Sequence, residues 1–142
     1  ITMQKTYLLF AISFIALISA CTSKVEESWA ETLRVHDEVM LQMQENNELE
    51  KKLTILIKKA EDAPASVLFT KVDTLKGALN QLTVSNEAMM DWMATLKSPN
   101  SGDDVDSTIA YHEERKRVII EVGVLMDNAA TNANGILKSL EK

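Results

Sequence analysis

The chain has 142 residues, of which 46% are apolar, 25% charged and 5% aromatic, with four Gly, two Pro and a single Cys. That composition suits one small globular domain and excludes a collagen, a disulfide-stapled scaffold and a wholly disordered chain. Fifteen Lys and Arg against 21 Asp and Glu leave a net charge of -6, the wrong sign for neutralising phosphates, so nucleic acid is not an expected partner.

The first segment reads as a processing unit. Lys5 supplies a positive start, residues 8–17 an apolar run, and Ile18-Ser19-Ala20-Cys21 a cleavage site, with Met3 expected as the initiator. The apolar stretch of residues 7–20 is about two thirds of what spans ~30 Å of hydrocarbon at ~1.5 Å per residue, so a signal peptide is favoured over a permanent span. Ile18-Ser19-Ala20-Cys21 resembles the lipobox, in which an aliphatic residue and two small ones precede an obligatory Cys. The resemblance implies cleavage between Ala20 and Cys21 and lipidation of Cys21, which as the only Cys has no internal disulfide partner. Each buried acyl CH₂ contributes roughly 0.8 kcal/mol, so two or three chains anchor a protein stably to its membrane. Thr22 in place of Asp favours the outer membrane by analogy with enteric sorting, facing the periplasm or the cell surface. Lys24-Val25-Glu26-Glu27 loosely resembles the Lys-plus-acidic tether of surface-exposed Bacteroidota lipoproteins.

The mature chain is expected to be all-α, an up-down-up antiparallel three-helix bundle. The expected order is a signal peptide at 1–20, a lipidated N-terminus and tether at 21–27, and the bundle at 28–142, with helices at about 28–60, 65–97 and 104–140. Ser23 with Glu26 and Ser28 with Glu31 satisfy the capping-box pattern, after which Trp29, Leu33, His36, Met40 and Met43 recur at helical spacing. The stripe pauses at Asn46 and Asn47, resumes with Leu49, Leu53, Leu56 and Ala60, and stops at Asp62-Ala63-Pro64. The second stripe runs Leu68, Val72, Leu75, Leu79, Leu82, Asn86, Met89, Met93 and Leu96, in a heptad alternation that ends at Ser98-Pro99-Asn100-Ser101-Gly102. Asn86 within it is expected to set register. The third follows Asp103, Asp104 and Asp106, acids suited to a helix N-terminus, and runs from Val105 through Ile109, His112, Lys116, Ile119, Gly123, Met126, Ala130 and Ala133 to Leu137 and Leu140. A second row, Tyr111, Val118, Val122, Leu125, Ala129 and Ile136, broadens that face. Asn132-Ala133-Asn134-Gly135 is expected to kink or fray the end.

Antiparallel threading, counted eight residues in from each helix end, places His36, Met89 and His112 in one layer beside Met40, Met43 and Met93. Imidazole and thioether groups in a bundle core suit reduced copper or haem, so His36, Met40, Met89 and Met93 are the candidate ligands. The same residues also suit plain core packing, since Met fills irregular gaps. No Cys-x-x-Cys-His, His-x-x-x-His or Glu-x-x-His pair is present, and neither a phosphate loop nor a nucleophile motif appears, so no enzyme is expected. Arg115-Lys116-Arg117 reads as an exposed turn with Glu113 paired to Arg117. Lys51, Lys52, Lys58 and Lys59 cluster at the end far from the anchor and suit an acidic partner.

With the lipobox, His36-Asp37-Glu38-Val39-Met40, Ala88-Met89-Met90-Asp91-Trp92-Met93, and Tyr111 with the charged run after it, the chain resembles a family of short Bacteroidota lipoproteins that carry the label viral A-type inclusion protein. The resemblance spans most of the mature chain and implies fold and location but no activity. His112 departs from the pattern, which has an apolar residue there, so a two-histidine site is not implied. Two expectations follow: a non-enzymatic interaction or structural module of the cell envelope, partnered by another protein or by itself, and a copper- or haem-binding bundle.

Overall fold

The computed structural model describes the backbone of residues 2–141 and the side-chain packing of residues 24–141. The expected signal peptide, cleavage site and lipidated Cys21 lie outside the residues whose side chains are described. Three α-helices account for the fold: α1 (Thr2–Glu61), α2 (Val72–Thr95) and α3 (Val105–Leu140), with a 3₁₀ turn at Val67–Lys71 leading into α2. Among the described residues there is no strand, and no helix is long and apolar enough to cross a membrane.

Cross-helix contacts fix the topology. Asn46 meets Ser85 and Glu61 meets Lys76, so α1 and α2 run antiparallel. Trp92 meets Arg115 and Gln81 meets Asn132, so α2 and α3 do too. Ser28 meets His112, Val39 meets Gly123 and Glu45 meets Asn134, so α1 and α3 are parallel. The bundle is therefore up-down-up, as two short turns between amphipathic helices require.

Several local expectations give way. Ser28 does not begin a helix: residues 24–27 are already helical. The Ser28 carbonyl accepts from Thr32 Oγ1 at 2.9 Å, and Glu31 is held by Arg34 instead of closing a capping box. The second helix does not start at 65. Ser66 Oγ accepts from the Phe69 amide at 3.3 Å and Thr70 Oγ1 donates to the Val67 carbonyl at 2.7 Å, local bonds that hold a tighter turn before α2 begins at Val72. At its other end α2 stops at Thr95 instead of 97: Leu96 is already extended, and a helix continued through Pro99 would drive its ring against the Thr95 carbonyl. Asn132 and Asn134 do not break α3, which runs on to Leu140. Their amides bridge to Gln81 at 2.7 Å and to Glu45 at 3.1 Å, tying α3 to both neighbours. Its start matches expectation more closely: Asp104 Oδ1 accepts from the Ser107 amide at 2.9 Å, and the Ser107 hydroxyl together with that amide holds its carboxyl below the usual range.

The core divides into two apolar clusters. In the far half, toward the α1–α2 turn, Leu49, Leu53, Ile57, Leu75, Ala78 and Leu82 pack against Ala129, Ala130 and Ala133. In the near half, toward the N-terminal segment and the α2–α3 loop, Val35, Val39, Met89 and Trp92 pack against Ile119, Val122 and Met126. Between them lies a polar layer. Asn46 Nδ2 donates to Ser85 Oγ at 3.2 Å and Asn86 Nδ2 to Asn47 Oδ1 at 3.1 Å. Asn46 and Ser85 are fully buried.

Candidate functional site

The chemistry-bearing side chains gather in the near half, though not in the single layer that equal counting predicts. His36 lies on Trp92 with ring centroids 5.2 Å apart and planes 13° from parallel, whereas His112 packs on Trp29 at 5.2 Å and Tyr111 at 5.9 Å. The offset has a visible cause. A Cβ at Gly123 would stand 3.0 Å from Val39 Cγ2, so the missing side chain admits Val39 and sets the register of α1 against α3. That register puts Ser28 and Thr32, not His36, level with His112. Because α1 already runs through this level, no helix start at Ser28 anchors the count.

Each histidine is held on one side only. His36 is half-buried, its Nδ1 3.0 Å from Asp37 Oδ1, while its Nε2 is buried with no hydrogen-bond partner among the described residues. His112 is 1% exposed, its Nδ1 lies 3.2 Å from Ser28 Oγ, and its Nε2 is likewise unpartnered. Burial lowers the His112 pKa from its ordinary value of 6.5, with the neighbouring Glu113 opposing, so its neutral form is favoured in the fold. Its own carbonyl accepts from Thr32 Oγ1 at 3.3 Å, a further tie between α1 and α3.

Of the remaining candidate ligands, Met89 is fully buried at the centre of the near cluster, and Met40 and Met93 are half-buried against it. Met43 packs there as well. These thioethers sit as core filler around Trp92, with the open nitrogen of His36 stacked on the same ring. Among the described residues, no three His, Cys, Asp or Glu side chains converge as a metal-binding group. A copper or haem ligand would draw on His36 Nε2 and the thioethers of Met40, Met89 and Met93.

The basic run after Tyr111 is not an exposed turn. Arg117 pairs with Glu114 and Glu121, not with Glu113, which instead holds Lys116 at 2.8 Å. Arg115 turns inward. Its guanidinium lies over the Trp92 ring, 5.2 Å from the centroid, and Nη2 donates to the Trp92 carbonyl and to Thr95 Oγ1, each at 2.9 Å. In return Trp92 Nε1 donates to the Arg115 carbonyl at 2.9 Å. Tyr111 adds to this clamp, its hydroxyl accepting from the Lys97 amide at 2.9 Å and donating to the Thr95 carbonyl at 3.3 Å. Thus α3 supplies a cation and a hydroxyl to the unsatisfied carbonyls at the C-terminus of α2, where a positive charge also complements the helix dipole. Sequence reading misses this clamp because Arg115 looks like part of a solvated charge run. An aromatic at Trp92 one position off the apolar stripe was the available signal.

Trp92 is therefore in contact with an imidazole from α1 and a guanidinium from α3 and bonded at its indole nitrogen, which is a device for locking three helices together. A cavity of about 410 Å³ lies beside this layer under the α2–α3 loop, lined by Lys97, Asp103, Asp104, Tyr111 and His112 among others. Its two acids are engaged within the loop, Asp103 Oδ2 accepting from the Asn100 amide and Asp104 capping α3, while the Nε2 of His112 stays without a partner. No family model, curated protein or solved structure matches the chain.

Proposed function

We propose that the chain is a lipid-anchored, non-enzymatic lipoprotein of the bacterial cell envelope, similar to the short Bacteroidota lipoproteins, in which the helical bundle is an interaction or structural module. The observation that carries this reading is the engagement of the chemistry-bearing side chains in packing. His36 stacks on Trp92, Arg115 clamps the same ring, and Met89 is sealed in the core. What remains accessible is a set of long helix faces with apolar side chains in solvent, among them Leu41, Ile55, Ile120 and Val124, and such faces serve protein recognition. Cys21 supplies the anchor and the outer membrane is the expected location, facing the periplasm or the cell surface.

The test combines labelling and fractionation. Cells expressing the chain take up an alkyne analogue of palmitate, and the label should appear on the wild-type protein in the envelope fraction and vanish from Cys21→Ser. Label retained by Cys21→Ser would overturn the anchor.

A second reading, a copper- or haem-binding bundle, is favoured by one observation: His36 Nε2 is buried without a partner beside the methionine cluster. The two readings part in a native mass spectrum of the lipidated protein in neutral detergent, recorded before and after incubation with reduced copper and with haem. The module reading expects no retained ligand. One ligand per chain, lost in His36→Ala with helicity intact, would replace it with the second.

A further inference from the structure

Charge is distributed unevenly along the bundle. The near half, residues 24–47 and 84–127, carries six basic against fifteen acidic residues, whereas the far half, residues 48–83 and 128–142, carries eight against six. The state of the cations differs as well. In the near half Arg34 is held by Glu31 and Glu38, Lys116 by Glu113, and Arg117 by Glu114 and Glu121. In the far half Lys76 pairs with Glu61. Among the described residues, no carboxylate lies within ion-pair distance of Lys51, Lys52, Lys58, Lys59, Lys71 or Lys138.

Two of these cations, Lys52 and Lys138, border an apolar depression. Between the last turns of α1 and α3 runs a groove of about 780 Å³ whose apolar lining is Ile55, Leu56, Leu137 and Leu140, with Lys52 and Lys138 outnumbering the one acid, Glu141, among its charged residues and Asn134 beside them. Ile55 is 67% exposed on this edge. Lysines in a final turn offset the helix dipole, and that accounts for Lys58, Lys59 and Lys138. It does not account for Lys52, which stands more than two turns before the end of α1, beyond the reach of that effect.

We propose that this groove docks an acidic amphipathic helix of a partner protein, its apolar stripe seated on Ile55, Leu56, Leu137 and Leu140 and its flanking carboxylates meeting Lys52 and Lys138. The proposal rests on the reading of the chain as an interaction module and names the face and the chemistry of what it binds. A helix laid in a groove needs apolar anchors at helical spacing, and charge along the rim fixes its sign and register. A second copy of this chain anchored beside the first is a poor occupant, because parallel copies would set lysine against lysine and the acidic halves against each other.

The probe is a fluorescein-labelled synthetic helix of 18 residues with Leu at i, i+3, i+4 and i+7 and Glu at the positions between, titrated by anisotropy into the full chain in neutral detergent. The expected result is saturable binding that weakens with added salt, falls about tenfold or more in Lys52→Glu/Lys138→Glu, and falls severalfold in Ile55→Ser. Lys97→Glu, at the opposite end, should leave it unchanged, and circular dichroism should show every variant folded. Equal binding of a Lys-for-Glu version of the probe would overturn the proposal, as would indifference to Lys52→Glu/Lys138→Glu. So would capture of phosphatidylglycerol vesicles, through the same lysines, by a chain that ignores the peptide. A failed titration together with a ligand-free native mass spectrum removes this groove and leaves the interaction module standing, whereas retained copper or haem removes the module itself.

Discussion

The far and near halves of this bundle are built from the same three helices by different means. In the far half, leucines of α1 and α2 meet a run of alanines on α3, so that large side chains sit against small ones and shape alone specifies the packing. In the near half the core contains Met89, Met126 and Trp92, and directional bonds surround it: Trp92 to Arg115, His112 to Ser28 and Thr32 to the His112 carbonyl. The difference shows two routes to one topology. Aliphatic close packing tolerates no lost volume, whereas a core of adaptable thioethers needs polar ties to hold a single arrangement. Ion pairing follows the same division: Arg34, Lys116 and Arg117 are paired along the near half, against Lys76 alone in the far half.

One substitution in each core tests that contrast most severely. Leu82→Ala removes a fully buried side chain from the Leu–Ala packing, with an expected loss of about 2–5 kcal/mol in urea unfolding, because the surrounding helices cannot collapse into the gap. Met89→Leu, at an equally buried site in the near half, should cost under about 1.5 kcal/mol. Comparable losses at the two sites would mean that the near half is packed as rigidly as the far half, and the distinction would fall.

The polar layer between the halves offers the second test. Asn86 is 7% exposed, donates to Asn47 and leaves its own Oδ1 without a partner. Replacing it by Leu joins the two apolar clusters, while Asn47, which is exposed, turns to water. Asn86→Leu should therefore raise stability by about 1–2 kcal/mol. It should also relax register, visible as a broadened or oligomeric boundary in sedimentation velocity. A lower melting temperature would show that the Asn86–Asn47 bond stabilises the fold more than apolar contact would.

This layer also marks where the sequence stops being legible. In α2 the heptad stripe lands where expected: Val72, Leu75, Leu82, Asn86 and Met89 are all buried. In the first part of α1 the stripe of Trp29, Leu33, His36, Met40 and Met43 marks only a half-buried flank, and the core line is Thr32, Val35, Val39 and Asn46. Periodicity fails there because the true core line contains Thr and Asn, whose hydroxyl and amide are paid for by Ser28, the His112 carbonyl and Ser85 on their own or neighbouring helices. Hydropathy registers such residues as a pause. The candidate site suffered for the same reason: relative register of α1 and α3 depends on Val39 entering the space over Gly123, a contact between residues 84 apart that no local pattern encodes.

The third test uses the one buried imidazole of the near half, His112, as a probe of how firmly α1 closes on α3. From α1 it meets Ser28, Trp29 and Thr32, all uncharged. From α3 it meets Tyr111 and has Glu113 beside it, and the loop cavity it lines also holds Lys97, Asp103 and Asp104. Desolvation outweighs Glu113, so the folded pKa lies below the ordinary 6.5 that the unfolded chain keeps. Between those two values the unfolded state binds more protons than the folded one, and the stability slope with pH is positive there. The contribution is therefore fully present above about pH 6.5 and is lost as pH falls below it. Thermal melts of the wild type should show a lower midpoint at pH 5 than at pH 7.5, and His112→Phe should show a smaller drop over the same interval. An equal drop in both would mean that the acid sensitivity resides in other groups and that protonated His112 is accommodated without parting α1 from α3. A smaller drop in the variant would place the proton-linked weak point of the bundle in its near half, the half held by directional bonds.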